Sequence, residues 1–222
     1  MGLIAKNEGM EFERLEDGVY TAVSQMLIDI GIQNNEKFGK KQRKFIIVWQ
    51  ILGQTIEING EEKPRVISKE YTLSLNEKSK LRADLQAWRG KAFTVEELNG
   101  FDLVNILNKP CQLQIITEEK NNKPYTNIAS IMAMPKGMQV DGTDDIVYFN
   151  TYEPETFDNF GKIPKWIQDK IRNCENKAES KLDLFIQDYD NKNNTDNATT
   201  VVQNGTVMQN DLDFIPDDDL PF

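Results

Sequence analysis

The hydrophobic pattern of the chain changes period three times, and each change marks a new element. From Val19 to Ile30, VYTAVSQMLIDI alternates, with Tyr20, Ala22, Met26, Ile28 and Ile30 on one parity, which predicts a half-buried strand that bends or ends at Gly31. FIIVWQI, residues 45–51, is apolar on both parities and predicts a central strand covered from two sides. Asn59-Gly60 is a hairpin signal, and RVISKEYTLSL, residues 65–75, returns as a third strand. The period then becomes helical: Leu81, Leu85 and Trp88 share one face of a helix that opens near Asn76 and stops at Gly90. Thr94 with Glu97 has the spacing of a capping box, and Leu103, Ile106 and Leu107 continue the packing. Alternation resumes in PCQLQIIT, residues 110–117, and in YTNIASIMAM, residues 125–134, across a turn at Asn121-Asn122.

Three strands, a helical insertion and two strands are the order of an OB-fold, so the expected fold is mainly β with short helices. It is a five-stranded Greek-key barrel over residues 18–135, whose ligand face lies on strands two and three and the first and fourth loops. Residues 1–17 read as a lead-in. Beyond Pro135, VDGTDDIVYFNTYEPETFDNF reads as an extended arm or irregular cover, and Pro164 opens a short amphipathic helix with Ile163, Ile167 and Ile171 on one face and Trp166 beside it. Residues 136–182 thus form an acidic arm and a C-terminal helix. From about Asp183 onward the chain is rich in Asn, Thr and Asp and has little to bury, which predicts a disordered linker over 183–222. Roughly 30 such residues span on the order of 30 Å, enough to reach the barrel's own groove or a bound partner.

Charge alters this picture. Residues 1–140 carry 19 Lys/Arg against 18 Asp/Glu and residues 141–222 carry 7 against 18, so the −10 of the whole chain divides into +1 and −11. An acidic pI therefore does not exclude nucleic acid, because the acidity is confined to one part. QNNEKFGKKQRK, residues 33–44, is the most basic stretch and reads as a loop in which Lys37, Lys40, Lys41, Arg43 and Lys44 surround Phe38. Lys120 and Lys123 flank the other loop.

Binding a single strand without sequence preference needs cations for phosphates and aromatic faces for bases. Arg65 and Lys69 supply further charge on the third strand, and Trp49, Tyr71 and Tyr125 join Phe38 as candidate faces. Strand parity divides them. Trp49 shares its parity with Phe45, Ile47 and Ile51, so core and ligand roles both stand, whereas Tyr71, paired with Leu73 and Leu75, favours the core unless a bulge intervenes. Phe38 has no strand partner and is the best stacking candidate.

The chain has no histidine, and Cys111 and Cys174 have neither metal nor redox spacing, which argues against zinc and histidine chemistry. Cys111 reads as a small buried apolar residue. No cofactor and no membrane attachment is expected: the N-terminal residues lack an apolar run for export, and Gly2 lacks the myristoylation context. A cytoplasmic location, in a host cell if the chain is phage-encoded, follows as an expectation. Two competing classes stand beside DNA binding. One is a metal-dependent nuclease using Asp141, Asp144, Asp145 and Glu153; the other is an acidic adapter or DNA mimic that binds no nucleic acid.

The last six residues, Asp217-Asp218-Asp219-Leu220-Pro221-Phe222, combine three carboxylates with an apolar hook. The ring and α-carboxylate of Phe222 suit a basic-rimmed apolar pocket on a partner, Pro221 limits the conformations lost on docking, and the aspartates steer the approach. DDDLPF closely resembles the acidic tip of bacterial single-stranded DNA-binding proteins and their phage counterparts. SKEYTLSL, LRADLQAWRGKAFT, GFDLVNILNKPCQLQI and PKWIQDKI are similar to blocks of a family of phage-encoded single-stranded DNA-binding replication proteins. The resemblance implies an OB-fold, binding without catalysis, a role in replication or recombination, and recruitment of partner proteins through the tip. Self-association through the helix around Trp166 stays open.

Overall fold

The computed structural model describes residues 14–35, 39–58, 60–120 and 123–197. In chain order these form β1 (Gly18–Asn35), β2 (Lys40–Ile58), β3 (Glu61–Thr72), α1 (Lys80–Arg89), α2 (Val95–Asn99), β4 (Pro110–Lys120), β5 (Lys123–Met132), β6 (Val147–Phe149), α3 (Lys165–Arg172) and α4 (Leu182–Asn197). Short 3₁₀ segments at Leu103–Ile106, Pro154–Lys162 and Lys177–Glu179 fill the connections.

The apolar run on β2 dictates two covers. Phe45, Ile47, Trp49 and Ile51 enter one core with Leu81, Leu85 and Trp88 of α1 and with Cys111, Leu113 and Ile115 of β4. Ile46 and Val48 enter a second core on the opposite face, with Val147 and Phe149 of β6, Phe157, Phe160, and Ile167 and Ile171 of α3. Strand β1 serves both cores by changing parity. A bulge between Ser24 and Met26 sends Ala22 and Leu27 to the first core and Met26, Ile28 and Ile30 to the second. The single parity expected across Val19–Ile30 is therefore broken at that bulge. The bulge is pinned from outside: Lys109 N donates to Ser24 Oγ at 3.0 Å and Asn108 N donates to the Ser24 carbonyl at 2.8 Å.

The sheet order is β3-β2-β1-β4-β5, each neighbour antiparallel, with β6 parallel to β1 over Met26–Ile28. This corrects the expected architecture. The fold is mixed α/β, its helices are distributed through the chain, and its sheet is an open half-barrel with β3 and β5 at its two ends, not a closed five-stranded OB-fold barrel. Two features accompany the open sheet. The β1 edge pairs with β4 only as far as Val23 and with β6 from Met26. Side chains then bridge between β3 and β5: Lys69 Nζ on β3 donates to the Ile128 carbonyl of β5 at 3.2 Å, while α1 packs on both strands and places Asp84 3.3 Å from Lys69 Nζ.

Helix α1 is capped by Ser79, whose side chain accepts from Arg82 N, and ends at Gly90 with φ 66°. Thr94 and Glu97 form a reciprocal capping box on α2. Helix α4 occupies Leu182–Asn197, which corrects the disordered linker that the polar composition predicts from Asp183 onward. Leu182, Phe185, Ile186 and Tyr189 lie on one face of it and pack into the second core, where the Phe160 and Tyr189 rings meet edge-on at 5.0 Å. Residues 198–222, with the Asp217–Phe222 tip, lie outside the described residues. Among the described residues no helix is long and apolar enough to cross a membrane.

Gly31 shows how tightly the C-terminal cover seats on β1. Its φ is 71°, and a Cβ there would meet Asn176 Oδ1 and come within 2.8 Å of Cys174 Cβ. Asn176 Oδ1 instead accepts from Ile32 N at 2.7 Å. The substitution Gly31→Ala is expected to lower the unfolding free energy by about 3 kcal/mol, from left-handed strain plus overpacking. Urea denaturation read by tryptophan fluorescence measures the loss, and wild-type stability would mean that the cover is loosely seated.

Candidate functional site

Four of the nine cations expected to meet phosphate, Arg43, Lys44, Arg65 and Lys69, are committed elsewhere. Strand pairing runs out to Asn35 opposite Lys40, so Lys40, Lys41, Arg43 and Lys44 are residues of β2 rather than of a loop. Lys44 is buried and paired with Glu70 at 3.1 Å, and Lys170 from α3 holds the other Glu70 oxygen at 2.9 Å. Lys69 and Arg65 are buried on β3. Trp49 is fully buried beside Trp88, and buried Tyr71 donates to Asp84 Oδ2 at 2.8 Å, so both aromatics belong to the core.

The remaining candidates divide by position. Lys40 and Lys41 are exposed, with Lys41 Nζ 2.7 Å from Glu175. Tyr125 is half-buried and bonds Glu118. Lys120 and Lys123 face each other at the end of the β4–β5 hairpin, and their side chains are outside the description. Lys37 and Phe38 lie outside the described residues, as do Asp217, Asp218, Asp219, Leu220, Pro221 and Phe222. The two basic hairpins do not converge. The β1–β2 turn follows Asn35, whereas β4 runs to its turn past Ile115, the partner of Gly18, which puts the turns at opposite ends of β1.

Arg43 leads instead to a cleft. It opens beside the β1–β2 pair, between the 3₁₀ segment Leu103–Ile106 and the residues that follow β6, with a volume of about 240 Å³. Its wall is apolar and aromatic through Leu27, Phe45, Phe101 and Tyr148, and Leu73 and Val104 stand exposed on its lining. Its polar groups are Asp29, Arg43, Asp102, Asn150 and Glu153.

The polar side is built as one network. Asp29 on β1 receives both Arg43 Nε at 3.2 Å and Arg43 Nη2 at 3.0 Å, together with Thr151 N at 3.1 Å and the Thr151 hydroxyl. Arg43 Nη2 also donates to Asn150 Oδ1 at 3.0 Å. Asn150 Nδ2 donates to Glu153 Oε1 at 2.6 Å, and the Tyr148 hydroxyl reaches the same oxygen at 3.2 Å. The Arg43 guanidinium stacks over the exposed Tyr152 ring at 4.6 Å. Burial alone would lower the Arg43 pKa, but the hydrogen bond and charge of Asp29, with Tyr152 and Tyr148 adding to them, outweigh it and leave it raised. Burial, and then the Glu153 carboxylate, push the Tyr148 hydroxyl up against the lowering effect of its bond from Asn150. The guanidinium is thus charged and the phenol neutral at any physiological pH.

Sequence reasoning placed only Arg43 here as a ligand contact, and weighed Glu153 as a metal ligand. The missed residues Tyr148, Asn150 and Tyr152 sit in VYFNTYEP, where the apolar triplet before alternating polar and aromatic residues was a usable strand signal. Asp141, Asp144 and Asp145 are exposed, and among the described residues no group of three or more His, Cys, Asp or Glu is placed to hold a metal ion. No protein-family model matches the chain, and no curated protein matches it.

These placements separate a structural lysine from surface ones. Lys44→Ala leaves Glu70 with less of its buried compensation and is expected to cost about 3 kcal/mol of stability, whereas Lys40→Ala stays within about 0.5 kcal/mol of wild type. Parallel urea titrations check this, and equal stability of the two variants would contradict the assignment of Lys44 to the interior.

Proposed function

We propose that the chain binds single-stranded DNA without strong sequence preference during replication or recombination, and that the Asp217–Phe222 tip recruits partner proteins. The observation that carries the reading is the separation of charge. A +1 region holds the outward lysines of the β1–β2 hairpin, and a −11 region ends in an acidic apolar hook. Lys40 and Lys41 supply phosphate contacts beside Lys37. The Lys41–Glu175 pair is exposed, and an exposed pair contributes only about 0–1 kcal/mol, so a phosphate exchanges for Glu175 at little cost. Phe38, which follows β1 in the sequence, and Tyr152 beside Arg43 supply stacking faces, worth roughly 1–3 kcal/mol per base. The tip competes with DNA for the same lysines, so it lowers affinity when no partner holds it.

Neutralising about four phosphates gives a log–log salt slope near −3. Titrating fluorescent oligo-dT at two salt concentrations is expected to return that slope. Lys40→Ala with Lys41→Ala should flatten it by about 1.4, while Phe38→Ala weakens binding and leaves the slope nearly unchanged. Deleting residues 214–222 should keep DNA affinity equal or raise it and abolish partner capture. Absence of salt-sensitive binding would instead favour the adapter, strand fragmentation in Mg²⁺ would favour the nuclease, and loss of DNA binding on tip deletion would place the tip in the fold.

A further inference from the structure

We infer that the cleft beside Arg43 receives one unstacked base of the bound strand and favours guanine. This rests on the reading of the chain as a single-strand binder and names what that site selects. The first argument is charge. Among the described residues, Asp29, Asp102 and Glu153 line the cleft against one cation, Arg43, so a phosphate is repelled from it while the hairpin lysines attract one outside. An uncharged ring is what remains, and the aromatic and aliphatic wall of Phe45, Phe101, Tyr148 and Leu27 suits its faces. A volume of about 240 Å³ leaves room for one base.

The second argument is the pattern of unused hydrogen-bonding atoms. Among the described residues the bonds of Arg43 use Nε and Nη2, and those of Glu153 use Oε1. Arg43 Nη1 is therefore available as a donor and Glu153 Oε2 as an acceptor. Asn150, bonded to both residues, fixes the two at the same site. Asp102 likewise uses Oδ1, which accepts from Val104 N at 2.9 Å, and retains its second oxygen.

A site with a carboxylate acceptor beside a guanidinium donor matches a base edge with adjacent N–H donors followed by a carbonyl. Guanine has that edge in N1–H, the N2 amine and O6. Thymine offers one N–H between two carbonyls, and cytosine and adenine each offer one exocyclic amine beside a ring acceptor. The Asp29 bidentate pair and the Tyr152 stack hold Arg43 before any ligand arrives, so little side-chain freedom is lost on binding.

The test compares oligo-dT with oligo-dT carrying one central dG, or one central deoxyinosine, which lacks only the N2 amine. The dG oligomer is expected to bind about tenfold more tightly than oligo-dT, and the inosine oligomer to lose most of that gain. Glu153→Gln replaces an acceptor-only group by one that also presents N–H, and should bring the dG and dT affinities together, with near-UV circular dichroism checking that the variant is folded. The comparison among oligomers on the unaltered protein stands whether or not that variant folds. Equal affinity for all three, with salt-sensitive oligo-dT binding intact, overturns the base site and leaves the single-strand reading standing. Guanosine alone shifting the Tyr148 and Tyr152 resonances while no oligomer binds supports the pocket and overturns the single-strand reading. An arginine-bearing peptide that displaces guanosine, without any preference for dG over dT, identifies the cleft as a protein-docking site and overturns the inference.

Discussion

Strand β2 carries apolar side chains on both faces, and the rest of the molecule follows from having to cover both. One cover is local: α1, between β3 and β4, buries Leu81, Leu85 and Trp88 against Phe45, Ile47 and Trp49. The other comes from the far end of the described chain, where β6, the 3₁₀ segment after it, α3 and α4 bring Phe149, Phe160, Ile167, Ile171 and Leu182 onto Ile46 and Val48. Leaving either face in water would forfeit roughly 1.5–3 kcal/mol for each large apolar side chain exposed. The acidic C-terminal region is therefore part of the fold up to α4.

Covering both faces also explains the open sheet and the fate of the cations. Strand β1 gives Gly18–Val23 to β4 and Met26–Ile28 to β6, so the sheet spreads around β1 instead of closing on itself. Where helices meet the sheet, Lys44 and Lys69 lie under the covers, and each has a carboxylate: Glu70 for Lys44, shared with Lys170 of α3, and Asp84 of α1 for Lys69. These pairs tie both covers to β3 and draw charge away from the surface. The cleft forms where the two covers part, between the 3₁₀ segment Leu103–Ile106 on one side and the residues after β6 on the other.

Much of this was legible in the residues. The two-sided apolar run of β2, the helical face of Leu81, Leu85 and Trp88, and the Thr94–Glu97 cap are local patterns, and local patterns survive folding. What escaped depends on partners distant in sequence. A bulge at Ser24 reverses parity without leaving a compositional mark, and Lys44 looks like any other member of a basic cluster until Glu70 and Lys170 are beside it. Closure of the sheet is a pairing question as well: strand order alone does not say that β6 will take the β1 edge. Helix α4 was hidden differently, because Leu182, Phe185, Ile186 and Tyr189 sit at helical spacing within a sequence whose polar average masks them. For the cleft, Arg43 stood out by charge, while Asn150 and Tyr152 acquire meaning only once β6 lies along β1.

The account turns on nucleic acid lying over the β1–β2 hairpin and not on the acidic C-terminal region. Footprinting by lysine acylation, quantified by mass spectrometry with and without oligo-dT, measures this at single residues. Lys40 and Lys41 should lose reactivity in the complex while the exposed Lys136 and Lys181 keep theirs. Protection that spares the hairpin, or that falls evenly on all four, would contradict it.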